Sequence, residues 1–264
     1  DGKRVAGNAD AYRQVADRPP GAAVAYTLRH GTTTETLTFE SRTFSAADYW
    51  IIFGSYLLTG LLYLLLGVLG AWLLPDASLG RALLLLGGTG GIFALTGAGI
   101  YQPGADLRIH ALAESFFPAT LVYLALVFAR AEQRYVTSLG ALAWWISLAI
   151  AIPYQLLLAQ PGAYSLVHAA CETYLGIAGL GVGATLILER ARAAQSAGPL
   201  LRAAVAGALL GIGVPAVIMM LSGVSGGVLP VNVVTATAFM FPLGMGCGLV
   251  REHLAVRGLP IAAS

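Results

Sequence analysis

The chain has 264 residues, of which 57% are hydrophobic and only 11% are charged. Soluble globular proteins are roughly 45–50% apolar with about a quarter of their residues charged, so this composition excludes an ordinary soluble enzyme and a disordered tail. A formal net charge of +2 is too small to indicate a nucleic-acid-binding protein. The composition therefore predicts an integral membrane protein that has the lipid bilayer as a partner.

Residues 1–47 have the pattern of a small α/β segment rather than of a membrane span. A short helix is predicted over Asn8–Asp17, with Asn8 as its N-cap. Two strands follow, in which apolar residues alternate from Val24 to Leu28 and from Leu37 to Phe39, around a turn at His30-Gly31. So few residues can hardly bury a core of their own, and we therefore expect the chain to be a fragment of a longer protein.

Seven long apolar segments follow this N-terminal part. A helix needs about 20 apolar residues to span the hydrocarbon core, and turn residues such as Gln160-Pro161-Gly162 separate the candidates. The segments are Tyr49–Leu74, Leu79–Tyr101, Arg108–Ala129, Ser138–Ala159, Tyr164–Leu188, Leu200–Ser222 and Val228–Val250. The predicted fold is an all-α membrane protein, with a seven-helix transmembrane bundle over residues 48–250 and a tail over residues 251–264.

The spacing of small residues predicts close helix packing inside the membrane. Pairs of glycines four residues apart let two helices approach closely in lipid. Four such pairs occur within the predicted spans, at Gly87/Gly91, Gly179/Gly183, Gly207/Gly211 and Gly244/Gly248. We expect these glycines to serve packing rather than to line a pore.

The arginines indicate how the bundle is oriented. Connections on the cytoplasmic side of a membrane protein carry an excess of Lys and Arg. The alternate connections on the other side hold only Arg108. The first, third and fifth connections and the tail hold Arg81, Arg130, Arg134, Arg190, Arg192, Arg202, Arg251 and Arg257. The C-terminus is therefore predicted to be cytoplasmic and residues 1–47 to lie outside, which is the periplasm if the source is a Gram-negative bacterium.

The N-terminal segment resembles the second half of a bacterial PDZ domain. The resemblance is carried by Asp-Gly-Lys-Arg-Val at positions 1–5, by the predicted helix Asn8–Asp17, and by the run from Pro20 to Gly31. It implies an extracytoplasmic PDZ-like module over residues 1–47. The carboxylate-binding loop of that family would precede Asp1, so the resemblance assigns no peptide-binding residue to this chain.

The membrane part resembles the seven-transmembrane N-terminal sensor region of bacterial histidine kinases. The resemblance is carried by Phe241-Pro242-Leu243 and by Val250–Leu254 at the exit of the last helix, and by the arginines at 190, 192 and 202. It implies a homodimeric signal-input domain in the bacterial inner membrane, which passes a small-molecule or peptide signal to a cytoplasmic effector. The sequence holds no ATP-binding glycines and no catalytic module, so the resemblance assigns any enzymatic activity, such as that of a histidine kinase, to the effector.

Four ionisable side chains stand out within the predicted spans. His110 and Glu114 lie in the third segment, and His168 and Glu172 lie in the fifth. Each pair is spaced i, i+4, which places an imidazole and a carboxylate one turn apart on one helix face. Both segments begin on the outer side, so we expect all four groups in the outer half of the membrane.

An internal repeat relates the two pairs. Gln102-Pro-Gly-Ala105 recurs as Gln160-Pro-Gly-Ala163, and both histidines and both glutamates match at the same offset of 58 residues. Parallel repeats of helices form known membrane architectures, with sites near the repeat interface. The repeat predicts that His110, Glu114, His168 and Glu172 converge on one site.

Several functions are open for this cluster. It could fix helix packing through a His–Glu hydrogen bond in each helix, bind a small organic ligand, sense protons, or hold zinc or iron. A haem held by His110 and His168 is disfavoured by the nearby carboxylates. A metal or haem there would instead make the chain a membrane metalloprotein or redox enzyme. Other candidates for lining the site are Tyr101, Gln102, Tyr154, Gln155 and Asn232, and Cys171 is expected to be a packing residue.

Overall fold

Most of the described chain is helical. The computed structural model describes residues 18–42, 45–75, 77–98, 106–158, 160–193, 197–225 and 234–257. Within these ranges, six helical segments are long and apolar enough to cross a membrane, and they match the first six predicted segments. They are Phe53–Leu73, Ser78–Gly97, Leu107–Phe128, Gln133–Leu157, Ala163–Ala193 and Pro199–Val224. The protein is thus a multi-pass membrane protein.

A β-hairpin precedes the helices. Strand β1 (Ala23–His30) pairs antiparallel with strand β2 (Thr33–Glu40). Gly31 forms the turn with a φ of 61°, a left-handed conformation that glycine adopts without a steric penalty. The two predicted strands and their turn are confirmed, whereas the predicted helix Asn8–Asp17 lies outside the described residues.

Uninterrupted helices form the first five spans. They are α1 (Ala46–Leu73), α2 (Ser78–Gly97), α3 (Asp106–Phe128), α4 (Gln133–Leu157) and α5 (Pro161–Ala193). Helix α1 ends just before Pro75, because the residue that precedes a proline disfavours the helical conformation. Pro118 and Pro153 lie inside α3 and α4, where neighbouring groups can satisfy the carbonyls that a proline frees.

The sixth span contains a π-helical turn. It runs as α6 (Pro199–Ala208), the π turn Leu209–Gly213 and α7 (Val214–Val224). Pro215 has no backbone N–H, so the carbonyl of Gly211 loses its α-helical partner. The wider hydrogen bonding of the π turn lies at this point, and such turns inside α-helices occur frequently at functional sites.

The seventh predicted segment is described only from residue 234 onwards. Here the short helix α8 (Thr235–Ala238) leads into α9 (Met240–Val256), which has 17 residues. A full span needs about 20 residues, and the predicted start at Val228 lies outside the described residues. Phe241 and Met245 of α9 are nevertheless fully buried in the main core. Within the described ranges six membrane-capable helices are present, and the seven-helix bundle stays a prediction.

The predicted glycine pairs lie at helix contacts, with one exception. A Cβ built on Gly207 would come within 2.8 Å of the carbonyl oxygen of Met240, and one on Gly244 within 3.2 Å of the Cα of Gly207. Helices α6 and α9 therefore touch through their backbones. Gly183 is the exception, because a Cβ there would meet no described atom within 4 Å. The predicted packing contact at Gly183 is therefore not seen among the described residues of this chain.

The outer face of the helices is apolar. Trp72, Leu156 and Leu166 expose 74%, 73% and 74% of their surface, whereas the buried core lies between the helices. An apolar exterior around an interior that contains carboxylates is the reverse of a water-soluble helical protein. This distribution suits a protein that is surrounded by lipid chains.

Candidate functional site

A cavity of about 200 Å³ lies in the centre of the bundle. Side chains from α1, α2, α3, α5, the π turn, α7 and α8 form its wall, so every span except α4 contributes. Its polar side chains are Thr59, His110, Glu114, His168 and Glu172, and its aromatic ones are Tyr56, Tyr63, Phe93, Phe117 and Tyr164. Lysine and arginine are absent among the described residues of this wall.

Two glutamates and one histidine form the polar end of the cavity. His168 of α5 lies between the carboxylates: its Nδ1 is 3.4 Å from Oε1 of Glu114, and its Nε2 is 3.3 Å from Oε1 of Glu172. Both glutamates have a relative exposure of 0%. The structure therefore brings together three of the four predicted ionisable groups, one from α3 and two from α5.

Tyr154 connects this cluster to α4. Its hydroxyl donates a hydrogen bond of 2.8 Å to Oε2 of Glu114 and lies 2.6 Å from Nδ1 of His168. The side chain is 1% exposed and stands behind the cavity wall rather than in it. Tyr154 is predicted from the sequence to line the site directly. In the structure it instead contacts Glu114 and His168, which line the cavity.

The hydrogen bonds restrict where the protons of the cluster can lie. A tyrosine hydroxyl has one hydrogen; when Tyr154 donates it to an ionised Glu114, the short contact with His168 is a hydrogen bond only if Nδ1 carries a hydrogen. One further proton between Nε2 and Glu172 can reside on either group. With Glu114 ionised and that proton present, the cluster carries one net negative charge.

Glu172 has an open carboxylate. Neither of its oxygens has a hydrogen-bond partner among the described residues. Oε1 lies 3.3 Å from Nε2 of His168, which is within ion-pair distance. An unsatisfied carboxylate is expensive in a buried site, so Glu172 is the group of the cavity wall that most needs a partner.

His110 lies on the same cavity but has different partners from those predicted. Its Nδ1 is 3.1 Å from the carbonyl oxygen of Phe93, which can only accept, and 3.1 Å from the hydroxyl of Thr96. Its ring also packs on Phe93, with the centroids 4.8 Å apart. The imidazole is therefore anchored to α2, and the expected hydrogen bond to Glu114 of its own helix is not formed.

The remaining predicted residues fall outside the cavity wall or outside the described chain. The side-chain amide of Gln155 donates a bond of 2.8 Å to the carbonyl oxygen of Arg108 and so ties α4 to α3. Cys171 is buried against Ala111 and Tyr154, as expected for a packing residue. Tyr101, Gln102 and Asn232 lie outside the described residues.

The described residues offer no grouping that suits a metal or a haem. Zinc sites have three or four protein ligands, and no three His, Cys, Asp or Glu side chains in the described ranges are arranged to hold a metal ion. Both ring nitrogens of His168 already face groups of the cluster. A haem axial bond from His168 would break one of these contacts.

The aromatic wall could not be found from the sequence. The rings of Tyr63 and Phe117 meet edge to face, with centroids 5.6 Å apart, and a Cβ built on Gly90 would come within 2.7 Å of Phe117. The glycine therefore makes room for the two rings. Along the chain these aromatic residues look like ordinary core residues, because only helix packing places them around one space.

Comparison of this chain with protein-family models, with curated proteins and with solved structures finds no match. The cavity, its open carboxylate and its aromatic wall are thus the features from which a function is inferred.

Proposed function

We propose that this chain is the membrane-embedded sensor unit of a bacterial signalling protein, and that it binds a small organic ligand in the central cavity. The observation that carries the proposal is Glu172, a fully buried carboxylate that lines the cavity without a hydrogen-bond partner among the described residues. Charged side chains inside a membrane protein are costly and usually mark a functional site. A ligand that donates to Glu172 offsets this cost.

The size of the cavity limits the ligand. An apolar cavity of about 150 Å³ holds a benzene molecule, and the cavity here has about 200 Å³. It therefore suits a compound with one ring and a short polar group. A peptide, the other ligand class considered from the sequence, is too large to be enclosed.

The cavity wall is continuous with a path to the C-terminal helix. Gly211 and Ile212 of the π turn line the cavity, and a Cβ built on Gly211 would lie 2.8 Å from the Cβ of Phe241. Phe241 is fully buried at the start of α9. A ligand that changes the π turn would therefore move α9, which leads to Arg251 and on to the proposed cytoplasmic effector.

Ligand binding can be tested with one-ring probes on the full chain in lipid nanodiscs. The probes are 4-fluorobenzylamine, 4-fluorobenzyl alcohol and 4-fluorotoluene, and binding is followed by fluorine NMR. Ala94→Leu fills part of the cavity, since Ala94 lines it, and Ala141→Leu is the matched control because Ala141 is exposed on α4. We expect binding of at least one probe that Ala94→Leu abolishes and Ala141→Leu retains. Failure of all three probes to bind in this cavity-dependent way would overturn the proposal.

Signal transfer needs a separate readout on α9. Cys247 is an exposed free cysteine on this helix, whereas Cys171 is buried, so a fluorophore can be attached to Cys247 alone. We expect the bound probe to change the fluorescence in the unchanged chain and not in Ala94→Leu. Binding that leaves the fluorophore on α9 unaffected would contradict the path through Gly211 and Phe241.

A further inference from the structure

We infer that the cavity takes a small organic cation: an amine whose positive group meets Glu172 and whose apolar body lies among the aromatic side chains. The inference rests on the proposed ligand-binding function and narrows its ligand class. It is carried by three features of the cavity, namely the charge of its polar end, the rings of its wall and the hydrogen-bonding capacity of Glu172.

The charge of the polar end favours a cation. Glu114 and Glu172 contribute two carboxylates, and His168 lies between them. Even with a proton shared by His168 and Glu172, one negative charge is left. The described wall residues include no lysine or arginine that could neutralise it, so the net charge of the polar end disfavours an anionic ligand.

The open carboxylate requires a donor. A carboxylate that has lost its proton can only accept hydrogen bonds, and both oxygens of Glu172 lack a donor among the described residues. A primary ammonium group has three N–H donors and a positive charge, so it can satisfy both oxygens together. An ether or a ketone offers no hydrogen to this carboxylate.

The aromatic wall supplies the second half of the site. The faces of aromatic rings attract cations within about 6 Å of the ring centroid. Tyr164 stacks on His168, with the ring centroids 5.5 Å apart and an interplanar angle of 9°, which places one ring of the wall beside the charged end. Tyr63 and Phe117 form a further edge-to-face pair in the wall. A single-ring body fits among these rings.

The test compares 4-fluorobenzylamine with 4-fluorobenzyl alcohol on the unchanged chain at pH 7. The two probes have the same ring and nearly the same size, and only the amine is charged. Pairing with a buried charge exceeds the 1.4 kcal/mol that corresponds to a tenfold change in affinity, so the amine should bind at least about tenfold more tightly. This ratio needs no variant and does not depend on how a mutated chain folds.

A substitution tests whether the preference for the amine over the alcohol depends on Glu172. Glu172→Gln should weaken binding of the amine about tenfold or more while changing that of the alcohol little. Glu132→Gln is the matched control, because Glu132 lies in a connection and pairs with Arg134. Equal binding of amine and alcohol, or an amine preference that survives Glu172→Gln, would overturn the inference that the ligand is a cation. The proposal that the cavity binds a ligand would not be affected. Absence of cavity-dependent binding by every probe would overturn both proposals.

Discussion

The hydroxyl of Tyr154 lies 2.6 Å from Nδ1 of His168. The hydroxyl of Thr96 stands in the same relation to His110, at 3.1 Å, and in both cases the histidine follows the hydroxyl by 14 residues. The two hydroxyls are 58 residues apart, as are the two histidines. The repeat seen in the sequence therefore extends backwards into α2 and α4, and relates the pair α2–α3 to the pair α4–α5.

The two halves of the repeat have diverged in chemistry. Thr96 has a short side chain, so His110 also takes the carbonyl oxygen of Phe93 as a partner. Tyr154 is longer and reaches Glu114 as well as His168. His110 of α3 is therefore held against α2, whereas His168 of α5 joins the carboxylate cluster.

Removing the hydroxyl of Tyr154 should destabilise the bundle. Tyr154→Phe leaves Glu114 without its donor and His168 without an acceptor, and a buried polar group that loses its partner costs about 1–3 kcal/mol. Thermal unfolding in detergent measures the effect. Tyr135→Phe is the control, since Tyr135 is 45% exposed. Equal stability of Tyr154→Phe and the unchanged chain would show that the contact does not hold α4 in place.

The two glutamates should have unequal effects on the two histidines. Glu114→Ala is expected to shift the ring nitrogen resonances of His168 on the other helix, because the two groups lie 3.4 Å apart. Glu172→Ala should shift His168 and leave His110 largely unchanged, because His110 is anchored to α2. Nitrogen NMR of histidine-labelled protein checks both, with Glu132→Ala as control. A shift of His110 that matches that of His168 would contradict the separation of the two imidazoles.

The glycines between α6 and α9 should tolerate no added methyl group. Gly207→Ala places a Cβ within 2.8 Å of the carbonyl oxygen of Met240, and overpacking of this kind costs about 1–3 kcal/mol. Gly181→Ala is the matched control, because a Cβ there meets no described atom within 4 Å. Unfolding of the two variants in the same detergent compares them. A Gly207→Ala variant as stable as Gly181→Ala would show that the two backbones are not in contact.

The arginine distribution predicts the orientation of the chain. A reporter enzyme that is active only in the cytoplasm, fused after Ser264, should be active. The same reporter placed before the hairpin should be silent, because the hairpin is expected outside. The reverse pattern of activity would place the polar end of the cavity on the cytoplasmic side and invert the proposed direction of signalling.

The spans and the hairpin could be predicted from the sequence because each depends on local pattern. Apolar length determines a membrane helix, and alternation around His30-Gly31 determines a hairpin. The cluster could be predicted in part, since helical spacing and the repeat bring Glu114, His168 and Glu172 to related positions. The attachment of His110 to α2 could not be predicted, because it depends on the backbone carbonyl of Phe93, which no side-chain pattern reveals.

The position of Tyr154 behind the cavity wall could not be predicted from the sequence either. Tyr154 was a candidate for the cavity surface, and only the packing of α4 against α3 and α5 places its ring behind Glu114 and His168. Thr59, whose buried hydroxyl also lacks a partner among the described residues, gave no signal at all. A threonine in an apolar span has no spacing that separates a cavity residue from one that bonds its own helix.

The contact between Glu114 and Tyr154 has a consequence for biogenesis. The two residues are 40 positions apart, so at roughly 5–20 residues per second the ribosome delivers Tyr154 about 2 to 8 seconds after Glu114. During that interval α3 carries an unpaired acidic group, which disfavours its release into lipid by about 2.5–3.5 kcal/mol at the helix centre. Helix α3 is therefore expected to wait at the translocon until α4 and α5 emerge, so that the three helices enter the bilayer as one unit.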